Sequence, residues 1–106
     1  MITRNDFKNF GYTVPQTVHS VADFAYEFPN EFNHWKKTSN SVICLGCKSE
    51  QELENLYNKF SEITPIIKFF EPDVDECTSI CLLGTPEVRR KLSHLPLLKP
   101  KKEPVV

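Results

Sequence analysis

A chain of 106 residues, 40% hydrophobic and 25% charged, is the size of one domain and can build a single core without obligatory disulfides or metals. Its formal net charge of −1 excludes a generic polyanion binder, and no apolar run approaches the ~20 residues of a membrane span. The charge is uneven: residues 1–83 carry 7 Lys/Arg against 12 Asp/Glu, and residues 84–106 carry 6 against 2. The excess of cations at the end comes from Arg89, Arg90, Lys91, Lys99, Lys101 and Lys102. Thr3-Arg4-Asn5-Asp6 follows Met1-Ile2 directly, which is no signal-peptide pattern, so a soluble cytoplasmic protein is expected.

In chain order, Met1 to Thr3 reads as the end of a short strand, and Asn5 to Tyr12 as a loop in which Gly11 can take positive φ. Thr13 is a candidate helix cap, with Pro15 in the first turn. Val14, Val18, Val21, Ala22, Ala25 and Phe28 then recur at helical spacing as the expected core stripe. Pro29-Asn30 closes that helix, and a second from about Glu31 to Lys37 is expected to bury Phe32 and Trp35. Ser41 to Cys47 has apolar residues on both faces, as in a strand covered on both sides. Ser49-Glu50-Gln51-Glu52 is a capping box, and Leu53, Leu56, Tyr57 and Phe60 give the following helix its inner face.

Pro65 to Phe70 is a third strand, followed by the acidic loop Glu71 to Glu76 and a fourth strand from Cys77 to Leu83. Thr85-Pro86-Glu87 opens a last helix, expected to run to about His94 with Val88 and Leu92 inward. Leu95 to Leu98 can add an extended segment, and 99–106 reads as a disordered basic tail. The order strand, helix, helix, strand, helix, strand, strand, helix predicts an α/β single domain: a mixed four-stranded sheet with helices on both faces.

The four cysteines invite a metal reading, because Cys44-x-x-Cys47 resembles half a zinc knuckle. Cys44 and Cys81 lie within apolar runs, however, and Cys77-x-x-x-Cys81 is a poor second half. Buried thiols are the expectation, with no metal and no cofactor.

Three groups carry possible chemistry. Gln16-x-x-His19 puts an amide and an imidazole on one helical face. Glu71-Pro72 sets a carboxylate at a strand end, and Cys77-Thr78-Ser79-Ile80 offers a hydroxyl in the last strand. With Arg4-Asn5-Asp6-Phe7-Lys8 and the capped acidic helix from Ser49 to Phe60, this order resembles the type 2 peptidyl-tRNA hydrolase family over about residues 2–98. It is most similar to that family's divergent "peptidyl-tRNA hydrolase domain-containing" branch. The resemblance makes 1–98 the domain and 99–106 its tail.

The family's chemistry is hydrolysis of the ester between an acyl group and tRNA. The resemblance therefore implies His19 and Glu71 around a water, with Gln16 and Thr78 polarising the carbonyl. Arg4, Lys8 and the helix start at Thr13 would meet phosphate, with Arg89 and Arg90 as further tRNA contacts. The expected partner is tRNA or a nucleotide, and a homodimer is a further expectation. Several positions depart from the pattern. The glycine–lysine pair ahead of the helix is replaced by Asn9-Phe10-Gly11-Tyr12, without the lysine. The aspartate after the third strand is Glu71, and the fourth-strand threonine falls at Cys77 or Thr78. An alternative reading follows: a relative that binds a nucleotide, a nucleotide signal or a tRNA end without hydrolysis.

Overall fold

A computed structural model describes residues 1–100. Eight elements follow in order: β1 (Ile2–Arg4), α1 (Phe10–Glu27), α2 (Pro29–Lys37), β2 (Leu45–Cys47), α3 (Glu50–Phe60), β3 (Ile66–Glu71), β4 (Glu76–Leu82) and α4 (Pro86–Lys91). The strands form one four-stranded sheet in the order β2-β1-β4-β3. β1 runs parallel to β2, while β4 is antiparallel to both β1 and β3, so the sheet is mixed as expected. No helix is long and apolar enough to cross a membrane among the described residues.

Local signals set several boundaries. Ser49 caps α3 by accepting from the Glu52 N–H (3.2 Å), while the Glu52 carboxylate accepts from the Lys48 N–H (3.2 Å). Thr85 caps α4 through the Val88 N–H (3.3 Å), with Pro86 at the first helical position. The acidic loop closes the β3–β4 hairpin, with Asp75 at φ 57° in the left-handed region that Asp tolerates. The segment after α4 lies against β2: Gly46 N–H donates to the Pro96 carbonyl and Leu98 N–H to Cys44, both at 2.9 Å. That closes one edge of the sheet, as the extended reading of Leu95 to Leu98 anticipates.

Four expectations are corrected. The strand expected from Ser41 is only Leu45–Cys47, and Val42 and Ile43 are exposed. α4 ends at Lys91 rather than His94. α1 begins at Phe10, capped by the Asn9 side chain, which accepts from the Gly11 N–H (2.8 Å). Gly11 is therefore helical, and no glycine has positive φ; a β-carbon there would crowd the capping oxygen at 3.2 Å. Thr13 consequently sits one turn inside the helix, buried, and is no cap.

The fourth correction concerns the face α1 turns to the sheet. The buried residues are Thr13, Gln16, Thr17, Ser20 and Phe24, whereas Val14 and Val18 are 41% and 62% exposed. Relative to the expected valine stripe, the helix is rotated by about one residue, ~100°. The partner strand is the cause. Ser79 Oγ lies 3.0 Å from Ser20 Oγ and 2.8 Å from Thr3 Oγ1, and Thr78 Oγ1 donates to Gln16 Oε1 at 2.8 Å. The polar stripe of α1 meets a polar strand, and the side chains of Thr13, Gln16, Thr17 and Ser20 each find a partner.

Hydrocarbon is concentrated on the other face. Ile2, Cys47, Leu53, Leu56, Phe60, Ile66, Cys77, Ile80, Val88, Leu92 and Leu95 form the main core beneath α3 and α4. The α1–α2 side has a smaller cluster around Phe24, Ile67 and Cys81. The buried thiols thus lie on opposite faces: Cys47 and Cys77 in the first cluster, Cys81 in the second.

Burial pushes the Cys47 and Cys77 thiols up from 9.0 to about 12, and Cys81 to about 11. The folded state therefore holds protons that the unfolded chain releases near pH 9. This contribution is complete below about pH 9 and declines as pH rises toward about 12. Urea melts across that window should show falling stability, and replacing Cys47 and Cys77 by Ala should flatten the alkaline limb. At pH 8 a thiol reagent should label only the half-buried Cys44 in the native protein; rapid native labelling of Cys47, Cys77 and Cys81 would contradict this packing.

Candidate functional site

The sequence-predicted residues are presented by α1, β3 and β4 at the sheet end where β1 finishes. Alternation along β3 directs Ile67, Phe69 and Glu71 toward α1. His19 is exposed, and its imidazole lies flat on the Phe69 ring, with centroids 4.6 Å apart and planes 16° apart. Glu71, two residues beyond Phe69, is buried at the strand end, where Oε1 accepts from the Asp73 N–H (3.3 Å). His19 and Glu71 thus face one α1–β3 seam. No hydrogen bond joins them.

Thr78 owes its orientation to a β-bulge. Phe69 pairs with Ser79 and Phe70 with Cys77, leaving Thr78 as the extra residue of β4. Cys77 and Ile80 point into the α3 core, while both Thr78 and Ser79 reach α1. The bulge explains why the register of this threonine is ambiguous from spacing alone. Gln16 accepts from Thr78 and donates Nε2–H to the Tyr12 carbonyl (3.3 Å). Both side chains are buried and engaged with protein groups, so they hold α1 against β4.

Arg4 is buried at the floor of the same region. Nε and Nη2 donate to the two Asp6 oxygens (3.0 and 2.9 Å), and Nη1 donates to Glu76 and to the Cys77 carbonyl. Its guanidinium also lies over the Phe7 ring, 4.7 Å from the centroid. The Asp6 hydrogen bond is the leading cause that pushes its pKa upward. Arg4 pins the loop after β1 to the start of β4, with its donors on carboxylates. Lys8 is exposed just ahead of α1, whereas Thr13 is buried behind the true helix start. Arg89 and Arg90 stand exposed on α4, and Arg89 lines a cavity whose wall does not include His19.

Tyr12 is the residue that sequence reasoning missed. Its ring meets Phe7 edge-on (5.1 Å, 70°), and its hydroxyl is buried without a hydrogen-bond partner. Loss of hydration raises the phenol pKa first, followed by the charges of Glu71, Asp73 and Glu76. The signal was present: positions 12, 16 and 19 share one helical face. Among the described residues, no group of three or more His, Cys, Asp or Glu side chains converges as a metal site. No protein-family model matches the chain, and no curated protein matches it.

The Gln16–Thr78 bond supports a double-mutant test. Thr78→Val leaves the Gln16 oxygen buried without a donor and should cost about 1–3 kcal/mol in urea melts. Adding Gln16→Met, which removes the stranded amide, should recover most of that loss. Additive losses would show that the bond does not set the packing.

Proposed function

We propose that this domain is an esterase of the peptidyl-tRNA hydrolase type, releasing an acyl group from the ribose of tRNA. The observation that carries the reading is the solvent-open His19 imidazole, held flat on Phe69, with Glu71 two residues further along the same strand. In the reaction, imidazole takes a proton from water as the water oxygen attacks the ester carbonyl. The tetrahedral intermediate then collapses, and the imidazolium returns the proton to the departing ribose oxygen. Glu71 contributes negative charge next to the transient imidazolium. Gln16 and Thr78 act as positioning residues that set the helix, and so His19, relative to β3. Lys8 and the N–H groups opening α1 meet the tRNA phosphates.

A second reading, binding of tRNA or a nucleotide without hydrolysis, is favoured by a different observation. The amide and hydroxyl proposed to polarise a carbonyl are bonded to each other, and Arg4 is held by Asp6 and Glu76. Incubation with N-acetyl-aminoacyl-tRNA separates the two. The esterase should release the acyl group with multiple turnovers, and His19→Ala should lower the rate about 10²-fold or more while binding persists. Absence of release at enzyme excess, with tRNA retarded at low salt, would replace the esterase by the binder.

A further inference from the structure

A cavity of about 750 Å³ opens at the sheet end opposite His19, where β1 begins and β4 finishes. Its walls include Phe24, Phe32, Trp35, Ile43, Leu83 and Leu92, contributed by α1, α2, the loop before β2, the end of β4 and the segment after it. This is the size and apolar character of a small-molecule site. The walls are tied together: Trp35 Nε1 donates to the Ser41 carbonyl (2.7 Å), and Leu45 N–H donates to the Met1 carbonyl (2.8 Å). The indole N–H is therefore satisfied by protein and leaves its ring as apolar wall.

Polarity in the lining is sparse and of one sign. Among the described residues, Ser39, Ser41 and Ser93 supply the hydroxyl side chains of the lining and Arg89 its charged side chain, while the Met1 ammonium, also at the wall, donates to the Ile43 carbonyl (2.7 Å). Among the described residues no Asp or Glu faces the space, so the lining offers no counter-charge to a cationic head group. Arg89 is exposed and makes no ion pair among the described residues. Its aliphatic stem lies across Gly84, with Cγ 3.6 Å from where a side chain there would begin, which keeps the guanidinium near the rim. An apolar interior whose charged groups are cationic, the Met1 ammonium held by the Ile43 carbonyl and the Arg89 guanidinium without an ion pair, matches a hydrocarbon chain ending in a carboxylate.

We propose that this cavity binds a long-chain fatty acid, its hydrocarbon between α2 and α4 and its carboxylate on Arg89. The site is separate from the proposed esterase centre and does not depend on it.

Trp35 is the only tryptophan and lines the cavity, so it reports occupancy directly. Dibrominated stearate should quench its fluorescence saturably at one equivalent, while unbrominated stearate should compete without quenching. The brominated alcohol of the same chain should bind about fivefold more weakly, the worth of one exposed ion pair. Arg89→Gln should reduce affinity for the acid to that for the alcohol and leave the alcohol unchanged. No quenching below the aggregation limit of the acid, or quenching that never saturates, would overturn the site. Equal affinity for acid and alcohol, unchanged by Arg89→Gln, would overturn the fatty-acid assignment.

Discussion

The hydrogen-bonded seam between α1 and β4 is the constraint on which the arrangement of this domain rests. Gln16 meets Thr78, and Ser20 meets Ser79, which in turn meets Thr3. Each bond adds only about 1 kcal/mol net, but an unpaired group in the same place costs ~1–3 kcal/mol. The seam is therefore stronger as a selector than as glue. Rotating α1 to bury its valines would strand several polar groups at once. With the rotation settled, the position of His19 over Phe69 follows, as does that of Tyr12 beside the hairpin carboxylates.

The two faces of the sheet divide the work. Fully buried Ile2, Leu53, Phe60, Ile80 and Val88 give the α3–α4 side a dense apolar core. The α1–α2 side has fewer buried apolar residues, and its polar seam occupies the half nearest Arg4. What remains at the other end is open space bounded by aromatic and aliphatic side chains. The candidate centre and the cavity are thus consequences of one distribution, polar groups at one end of α1 and Phe24 with its neighbours at the other.

Electrostatics at the candidate centre are governed by the tight β3–β4 hairpin. Glu71, Asp73, Asp75 and Glu76 crowd one turn, and Arg4 enters as a buried counter-ion shared by Glu76 and Asp6. This arrangement fastens three strands' ends together, and it leaves a negative rim around Tyr12.

Much of the fold was legible from short-range signals. The caps at Ser49 and Thr85, the apolar spacing of Leu53, Leu56 and Phe60, and the paired strands around the acidic loop each depend on residues a few positions apart. Such signals survive any tertiary context, so the element order and the mixed sheet could be derived from the chain. The face of α1 could not, because it carries two stripes of the same period: Val14-Val18-Val21 and Thr13-Gln16-Ser20. Choosing between them required knowing that Thr78 and Ser79 would stand opposite, about sixty positions away in the chain. The bulge that turns Thr78 toward α1, the inward engagement of Arg4 and the cavity beside Trp35 were likewise decided only in three dimensions. Each depends on which distant groups satisfy a buried polar atom or fill a volume, and local spacing carries no record of that.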